Sequence, residues 1–392
     1  MLKNLRKIMI IVAFLLIPIF ITGCWNNVDL NDRVFVVAAG LDKSKNEKID
    51  YTVQIIKPSA IGSRKQGGSI KATKTISDQG ETVFDAIRNL LTRSNKKPFY
   101  GHIQIISIGE DLARQGIANA LDWFDRDTEP DKRCLVLIAR GTTAKQILRV
   151  EGAVEDIPAV EITNTLKNNN ALPKMKECQL NEVIKSLNSK GKNPLVGVVS
   201  APQKQQQSSV SDLDFTGTAV FKKDKLVGWL SPEETTGYLF TQNKVKSGII
   251  NIANPVDAQG KIAIEILRSK GKLDVRFRNG EPVLYIKIKE EGNVGEQEGK
   301  GDLTSFSQVQ KLEKETAQVI KNDIMKAIIR TQNEYQVDIF GFGDIVHRRN
   351  LSYWKTVENN WNEVFSTLTV EIEVESKIRR AGLIKKQAGE AK

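Results

Sequence analysis

The cysteine at position 24 has neighbours that give its thiol a defined chemistry. It follows Ile21, Thr22 and Gly23, an aliphatic residue and two small ones, and this order is the lipobox of bacterial lipoproteins. Small residues let a signal peptidase hold extended backbone in a tight cleft, and the thiol is the nucleophile that takes up diacylglycerol. The sequence therefore predicts cleavage between Gly23 and Cys24 and an S-diacylglyceryl group on Cys24, with N-acylation of the same residue left open.

Residues 1–23 have the composition of an export signal. Three basic residues and no acid precede an apolar run over residues 8–21. That run is shorter than the roughly 20 apolar residues that a membrane-spanning helix needs. An ordinary signal peptide with a chance cysteine and an uncleaved short anchor are the alternatives, and the position of Cys24 disfavours both. Two acyl chains on Cys24 would hold the protein stably on a membrane, whereas one chain binds marginally.

Other groups that could do chemistry are few and dispersed. The chain has two histidines, His102 and His347, and no His or Cys spacing that is typical of a metal site. Asp344 lies three residues before His347, but no Ser or Cys stands in a recognisable nucleophile motif beside them. Cys134 opens an apolar run, which predicts a buried thiol, and a Cys134–Cys178 disulfide is disfavoured. We therefore expect no catalytic residue, no metal and no cofactor apart from the lipid, and the ligand-binding residues stay unknown.

The net charge of the chain is positive, but its basic residues are dispersed along the sequence. Its 58 Lys and Arg outnumber 47 Asp and Glu, a net charge of +11, and removal of residues 1–23 with their three basic side chains leaves +8. Basic pairs occur at 96–97, 222–223, 348–349, 379–380 and 385–386. Aromatic residues do not interleave with them as a platform for stacked bases would require. Nucleic acid is therefore not expected as a partner. Most pairs are interpreted as solvated surface, and a minority as contacts to anionic head groups.

Length and hydrophobic pattern predict two regions of mixed α and β structure. A chain of 392 residues exceeds one hydrophobic core, so two or three domains are expected. In the N-terminal region, residues 24–200, apolar runs alternate with helical spacing, which predicts an α/β fold of one or two subdomains. Strands are expected at 34–40, 50–56, 70–77, 103–108, 134–139 and 194–200. Helices are expected at 81–94, 111–124 and 143–150 and over most of 156–190.

Residues 201–212 are polar and are interpreted as a linker or a mobile loop. The C-terminal region, residues 213–385, is predicted to be another α+β unit, and mixed and antiparallel sheets with packed helices are expected across the chain. It opens with a hairpin over 217–230, and Ser231 then caps a helix that has Pro232 at its first position. Strands are expected at 262–267, 273–278, 283–289 and 367–376, a loop at 290–301, helices at 303–332 and 351–361, a turn at 338–345, and a frayed tail at 386–392.

Several spaced motifs resemble the Ger(x)C family, the C subunits of spore germinant receptors in Bacillus and its relatives. Residues 23–30 read Gly-Cys-Trp-Asn-Asn-Val-Asp-Leu, where the family usually has Asp in place of Asn26. The hairpin residues 217–221 and 226–230 match, and so does the Asp-Ile-Phe-Gly-Phe-Gly run over 338–343. This run continues to Trp354 and Trp361 and ends in the alternating strand. The resemblance covers essentially the whole chain.

The resemblance implies a lipoprotein on the outer face of the spore inner membrane. Such proteins act with an A subunit, a membrane protein with soluble domains, and a B subunit, a polytopic transporter-like protein. The assembly senses nutrients and triggers release of ions and dipicolinate. The resemblance also implies an unusual three-domain α/β fold, and it supplies no catalytic residue. Cys24 is the functional residue that it carries over.

Two other classes of protein stay open on sequence grounds. A substrate-binding lipoprotein of an importer would need two similar lobes around a ligand cleft, and the two halves of this chain are dissimilar. A lipid-anchored hydrolase of the cell wall would need a nucleophile or paired carboxylates in a recognisable frame. The sequence shows neither, so a non-enzymatic role is favoured.

Overall fold

The computed structural model describes residues 4–7, 9, 32–57, 71–94, 96–167, 172–202, 209–257 and 259–380. Cys24, the Gly23–Cys24 bond, most of the predicted signal peptide and the predicted tail lie outside these residues. Within them the chain forms two sheets with packed helices, which confirms the predicted mixed fold class. None of the helices in the described part is both long and apolar enough to cross a bilayer.

The first sheet has nine strands with a parallel centre. Its order is β3-β2-β1-β5-β6-β7-β8-β9, with β4 pairing beside β1. Strands β1, β5, β6 and β7 run parallel, and an antiparallel pair of strands flanks them on each side. The strands are β1 (Arg33–Lys43), β2 (Ile49–Ile56), β3 (Thr73–Gly80), β4 (Lys97–Phe99), β5 (Ile105–Gly109), β6 (Leu135–Arg140), β7 (Leu195–Ser200), β8 (Thr218–Lys222) and β9 (Lys225–Leu230).

Helices cover both faces of the first sheet. This explains why the central strands are continuous apolar runs: successive residues enter opposite cores, as Leu137 and Ile138 do. One face holds α1 (Val83–Asn89), α2 (Glu110–Gln115), α3 (Ala118–Arg126) and α6 (Leu180–Leu187). The other holds α4 (Ala144–Ile147) and α5 (Pro158–Lys167).

The second sheet has four strands in the order β10-β11-β12-β13. Strand β13 runs parallel to β12, and the other pairs are antiparallel. Helices pack on it around a separate core that includes Ile320, Phe342 and Phe365. The strands are β10 (Ile249–Ala253), β11 (Lys261–Arg278), β12 (Glu281–Gln297) and β13 (Val370–Arg380). The helices are α7 (Pro232–Thr241), α8 (Phe306–Ile329), α9 (Phe342–Arg349), α10 (Leu351–Val357) and α11 (Trp361–Thr367), and α8 continues into a π-helical turn (Arg330–Tyr335).

Two local predictions in the C-terminal region are confirmed. Ser231 caps α7 by accepting a hydrogen bond from the Glu234 backbone, and Pro232 is the first helical residue. Strand β13 alternates as expected, with apolar side chains on the core and carboxylates on the outer face. These carboxylates pair with cations of the neighbouring strands, in the pairs Arg278–Glu371, Lys287–Glu373 and Lys289–Glu375.

The predicted strands and loop between 262 and 301 are partly wrong. Strand β11 runs unbroken through 262–278 because a bulge near Ile266 keeps it paired with β12. Strand β12 continues to Gln297, although residues 290–301 were expected to form a loop. Glycine and glutamate have low strand propensity, but β11 and β13 pair with this stretch from both sides, and such pairing outweighs propensity.

Two other local expectations need correction, and β10 is an additional strand. The single helix expected over 111–124 is two helices, because Gly116 adopts a φ of 143° between α2 and α3. The segment 156–190 was expected to be mostly helical; it contains α5 and α6, but the described residues 172–179 between them are not helical. Strand β10 was not predicted.

The hairpin β8–β9 belongs to the first sheet. It was expected to open the C-terminal region, but β8 pairs with β7. The described end of the expected linker also packs there, since Val210 is buried and its backbone N–H donates to the Glu151 carbonyl. The division of the chain into domains stays a prediction.

Candidate functional site

The carboxylate of Asp338 is the centre of a buried polar cluster. Its Oδ1 accepts hydrogen bonds from the backbone N–H groups of Phe340 at 2.9 Å and Gly341 at 2.8 Å. Its Oδ2 accepts from the Gly343 N–H and from the indole Nε1 of Trp361, both at 2.9 Å. We call these five residues the Asp338 cluster. Four of them belong to the Asp-Ile-Phe-Gly-Phe-Gly motif over residues 338–343, and the fifth is Trp361. The carboxylate therefore sets the turn that begins α9.

Burial and hydrogen bonding act in opposite directions on this carboxyl group. Burial raises the pKa of Asp338 to about 6, while the donors from Gly343, Trp361 and Gly341 oppose the rise. A pKa of about 6 leaves the group ionised at neutral pH. Ionisation suits the site because four donors point at the two oxygens, and a charged acceptor strengthens such bonds. The arrangement is therefore that of a structural anchor.

The Asp338 cluster joins the second half of the chain to the first sheet through Asn193. The backbone N–H of Asn193 donates to the Asp338 carbonyl at 2.7 Å, and its side-chain amide donates to Asn362 Oδ1 at 2.8 Å. The Asn193 side-chain oxygen accepts from the Lys223 N–H at 2.9 Å, in the β8–β9 turn. One asparagine thus ties the segment before β7, the last hairpin of the first sheet and the start of α9 together.

Two glycines let these backbones approach closely. A Cβ placed on Gly191 would lie 2.4 Å from the Asp344 backbone nitrogen. A Cβ placed on Gly343 would lie 2.5 Å from the Gly191 Cα. Beside them the Ser189 hydroxyl donates to Asp344 Oδ1 at 2.9 Å. The joint between the first sheet and α9 is therefore packed backbone on backbone.

The structure does not bring Asp344 and His347 together as a catalytic pair. Asp344 bonds Ser189, whereas the His347 ring packs on Trp354 with the ring centroids 5.6 Å apart. His102 instead lies against Phe35 and Phe99 at the start of the first sheet. Both histidines thus have aromatic packing partners.

Cys134 is buried, as expected, and it forms no disulfide with Cys178, which is also buried. Burial raises the pKa of the Cys134 thiol to about 12 and also raises that of Cys178. Both thiols are protonated at neutral pH, so neither is an activated nucleophile. Among the described residues no group of three or more His, Cys, Asp and Glu could hold a metal ion.

The sequence alone does not assign Asn193, Ser189 and Gly191 to this joint. A turn signal was available, since residues 189–194 read Ser-Lys-Gly-Lys-Asn-Pro. It predicts a turn but not its partner, which lies about 150 residues away in the sequence. Asp338 is the first residue of the motif over 338–343, but the motif by itself does not predict the role of its carboxylate.

The start of β1 lies close in the sequence to the predicted lipidation site. Arg33 is the first residue of β1 and lies nine residues after Cys24. Its guanidinium pairs with Glu129 at 3.1 Å and lies over the Phe99 ring at 4.8 Å. These contacts fix the first residue of the sheet, while Cys24 itself lies outside the described residues.

Two family models match the chain in order. The model described as "Spore germination protein N-terminal domain" matches residues 26–201. The model described as "Spore germination B3/ GerAC like, C-terminal" matches residues 216–382. Together they span nearly all of it, so the chain belongs to the Ger(x)C family of spore germination proteins.

Individual relatives match over almost their full length. Spore germination protein KC of Bacillus subtilis (strain 168) is 25% identical over 96% of this chain and 97% of its own. Spore germination protein B3 of the same organism is 23% identical over 93% of this chain and 95% of its own. The crystal structure of the GerBC protein aligns with a TM-score of 0.54 and 21% identity, over 87% of this chain and 96% of that one. The last likeness shows a shared fold.

Proposed function

We propose that this chain is the lipid-anchored C subunit of a spore germinant receptor. It acts as a non-enzymatic component of a membrane complex that starts germination in response to nutrients. The observation that carries the proposal is the match of both family models, in order, over nearly the whole chain. Named relatives such as spore germination protein A3 match at similar coverage, 96% of this chain and 98% of theirs.

The anchor is proposed to be the diacylglyceryl group on Cys24, on the outer face of the spore inner membrane. The partners are the receptor's A and B membrane subunits and the membrane lipid. Support comes from the lipobox at residues 21–24 and from its position nine residues before the first residue of β1. The buried, protonated Cys134 and Cys178 thiols also support a role without covalent catalysis.

The alternative, a solute-binding lipoprotein of an importer, fits the architecture less well. A two-lobed binder needs two similar domains around a cleft. Here a nine-stranded sheet with a parallel centre is joined to a four-stranded sheet of different topology. The joint between them is filled by the Asp338 cluster and the Gly191–Gly343 contact.

Deletion of the gene tests the proposal. We expect spores to lose the response to one set of nutrients while dipicolinate still triggers germination, since dipicolinate acts after the receptor. Complementation with the wild-type gene serves as the control. Loss of both responses would contradict a receptor role and indicate a later step. Normal germination with impaired solute uptake would favour the importer.

A further inference from the structure

Two lysines lie beside the residue where the predicted anchor enters the fold. Strand β4 pairs parallel with β1 so that Lys97 is the partner of Arg33 and Phe99 the partner of Phe35. Lys96 precedes Lys97, and both lysines are exposed. The rings of Phe35, Phe99 and His102 contact one another there, with centroids 5.5 to 5.8 Å apart. We call the two lysines and the three rings, without Arg33, the β1–β4 surface.

The charge of the two lysines is not compensated within the described chain. The neighbouring cations do have partners, since Arg33 pairs with Glu129 and Arg93 pairs with Asp78. Neither Lys96 nor Lys97 forms an ion pair with a described residue. The β1–β4 surface therefore combines two free ammonium groups with partly exposed aromatic rings, a combination suited to the boundary between head groups and acyl chains.

The tether keeps this surface close to the membrane. Arg33 lies nine positions after Cys24, which limits the distance between them to about 32 Å even when the chain is fully extended. The opposite end of β1, at Lys43, lies about 33 Å from Arg33 along the strand. Of the two ends of the strand, the one that carries Lys96 and Lys97 thus stays within reach of the head groups.

We propose that the β1–β4 surface docks on anionic head groups of the membrane that holds the Cys24 anchor. The inference rests on the proposed lipidation. The lysines attract the phosphates, the aromatic rings lie at the head-group level, and the anchor supplies the high local concentration. Docking places the amino-terminal end of β1 towards the bilayer. The carboxyl ends of the parallel strands β1, β5 and β6 then face away from it.

Lysine footprinting on the lipidated full-length mature protein tests the docking. The protein is placed in vesicles of phosphatidylcholine alone and of phosphatidylcholine mixed with phosphatidylglycerol, and an amine-acetylating reagent labels its lysines. We expect acetylation of Lys96 and Lys97 to slow at least about fivefold with the anionic lipid, the effect on one cation of head-group contact. High salt should restore the rate. Lys45, exposed and unpaired in the turn beyond the far end of β1, is the internal control and should not change.

Two charge-reversal variants test whether the protection depends on the lysines of the β1–β4 surface. Lys96→Glu should remove most of the protection of Lys97, whereas Lys45→Glu should leave that protection intact. Equal acetylation of Lys96 and Lys97 in both vesicles, or equal protection of Lys45, would overturn the docking. Protection seen in spore membranes but not in anionic vesicles would also overturn it, and would indicate an acidic protein partner.

The same digest separates this inference from the proposed function. The mass of the peptide that contains Cys24 reports whether the residue is acylated. An acylated Cys24 with unprotected Lys96 and Lys97 contradicts the docking alone. An unmodified Cys24 contradicts the lipid anchor and the docking together.

Discussion

The indole Nε1 of Trp361 donates a hydrogen bond of 2.9 Å to the carboxylate of Asp338, 23 residues earlier in the chain. The same oxygen accepts the Gly343 N–H, so one carboxylate holds α9 and α11 in fixed relation. Because Asn193 bonds the Asp338 carbonyl, this contact also sets how the second half of the chain meets the first sheet. The joint is therefore the place where a small change should affect the whole molecule.

Asp338→Ala should strongly destabilise the protein. The change leaves four buried donors without an acceptor, which we expect to lower the free energy of unfolding by about 3 to 5 kcal/mol. Chemical denaturation of the mature protein measures this. Asp344→Ala is the matched control, because it removes the acceptor of a single Ser189 bond and should cost about 1 kcal/mol. Equal losses for the two variants would show that the Asp338 cluster is not the anchor.

Gly191→Ala should also weaken the joint, for a steric reason. The added methyl would lie 2.4 Å from the Asp344 nitrogen, so backbone must move. We expect a loss of about 2 kcal/mol in the free energy of unfolding. Gly295→Ala serves for comparison, because its methyl would meet its nearest neighbour at 3.6 Å. A Gly191 variant as stable as the Gly295 variant would mean that the close approach is not required.

Glu290 should make the stability of the second sheet depend on pH. Its side chain is 1% exposed, its Oε2 accepts from the Ser376 hydroxyl at 2.6 Å, and its Oε1 has no partner. Burial first, and then the nearby Glu291 and Glu313, raise the pKa of Glu290 from 4.5 to about 7. The folded state thus holds the proton more tightly than the unfolded state does. Stability from this group is present below pH 4.5 and declines by about 3 kcal/mol as the pH rises through 7.

Glu290→Gln should remove that decline and leave the protein more stable than wild type at alkaline pH. Thermal unfolding measured across the pH range tests it. Glu291 is a contrasting neighbour: Arg379 and Arg268 lower its pKa to about 2, so its contribution has the opposite sign and is lost as the pH falls. An unchanged pH profile in the Glu290 variant would show that this carboxyl group ionises normally.

Cys24→Ala should abolish acylation and release the protein from membranes. The two cysteines of the described residues, Cys134 and Cys178, are buried and cannot substitute for it. Metabolic labelling with a radioactive fatty acid, followed by membrane fractionation, measures both effects. Cys178→Ala, which changes a buried thiol instead, should keep the label. Membrane retention of the unlabelled Cys24 variant at the wild-type level would contradict the lipobox.

Sequence patterns whose physical cause lies within a few residues, such as helix caps and strand alternation, predicted local structure correctly. Ser231 and Pro232 identified the start of α7 because a capping residue bonds the backbone only three positions away. The alternation around Val370, Ile372 and Val374 identified β13 because one face of a strand is buried. Neither signal depends on the rest of the fold.

Relations between distant segments could not be predicted in the same way. Strand β12 extends through Glu290 because β11 and β13 pair with it, and neither partner is visible in its own sequence. The β8–β9 hairpin was recognised, but its place beside β7 was not. Asp338 was noted in a motif, yet its role depends on Asn193 and Trp361, which reach it only in the folded chain.

The proposed function makes the claim that this chain is a subunit of a germinant receptor complex on a membrane. Affinity purification of the tagged protein from detergent-solubilised spore membranes examines that complex. We expect A-type and B-type receptor subunits to co-purify with it, and to be absent when the untagged strain is used. Recovery of the chain without either subunit, or with the permease of an importer, would contradict the claim.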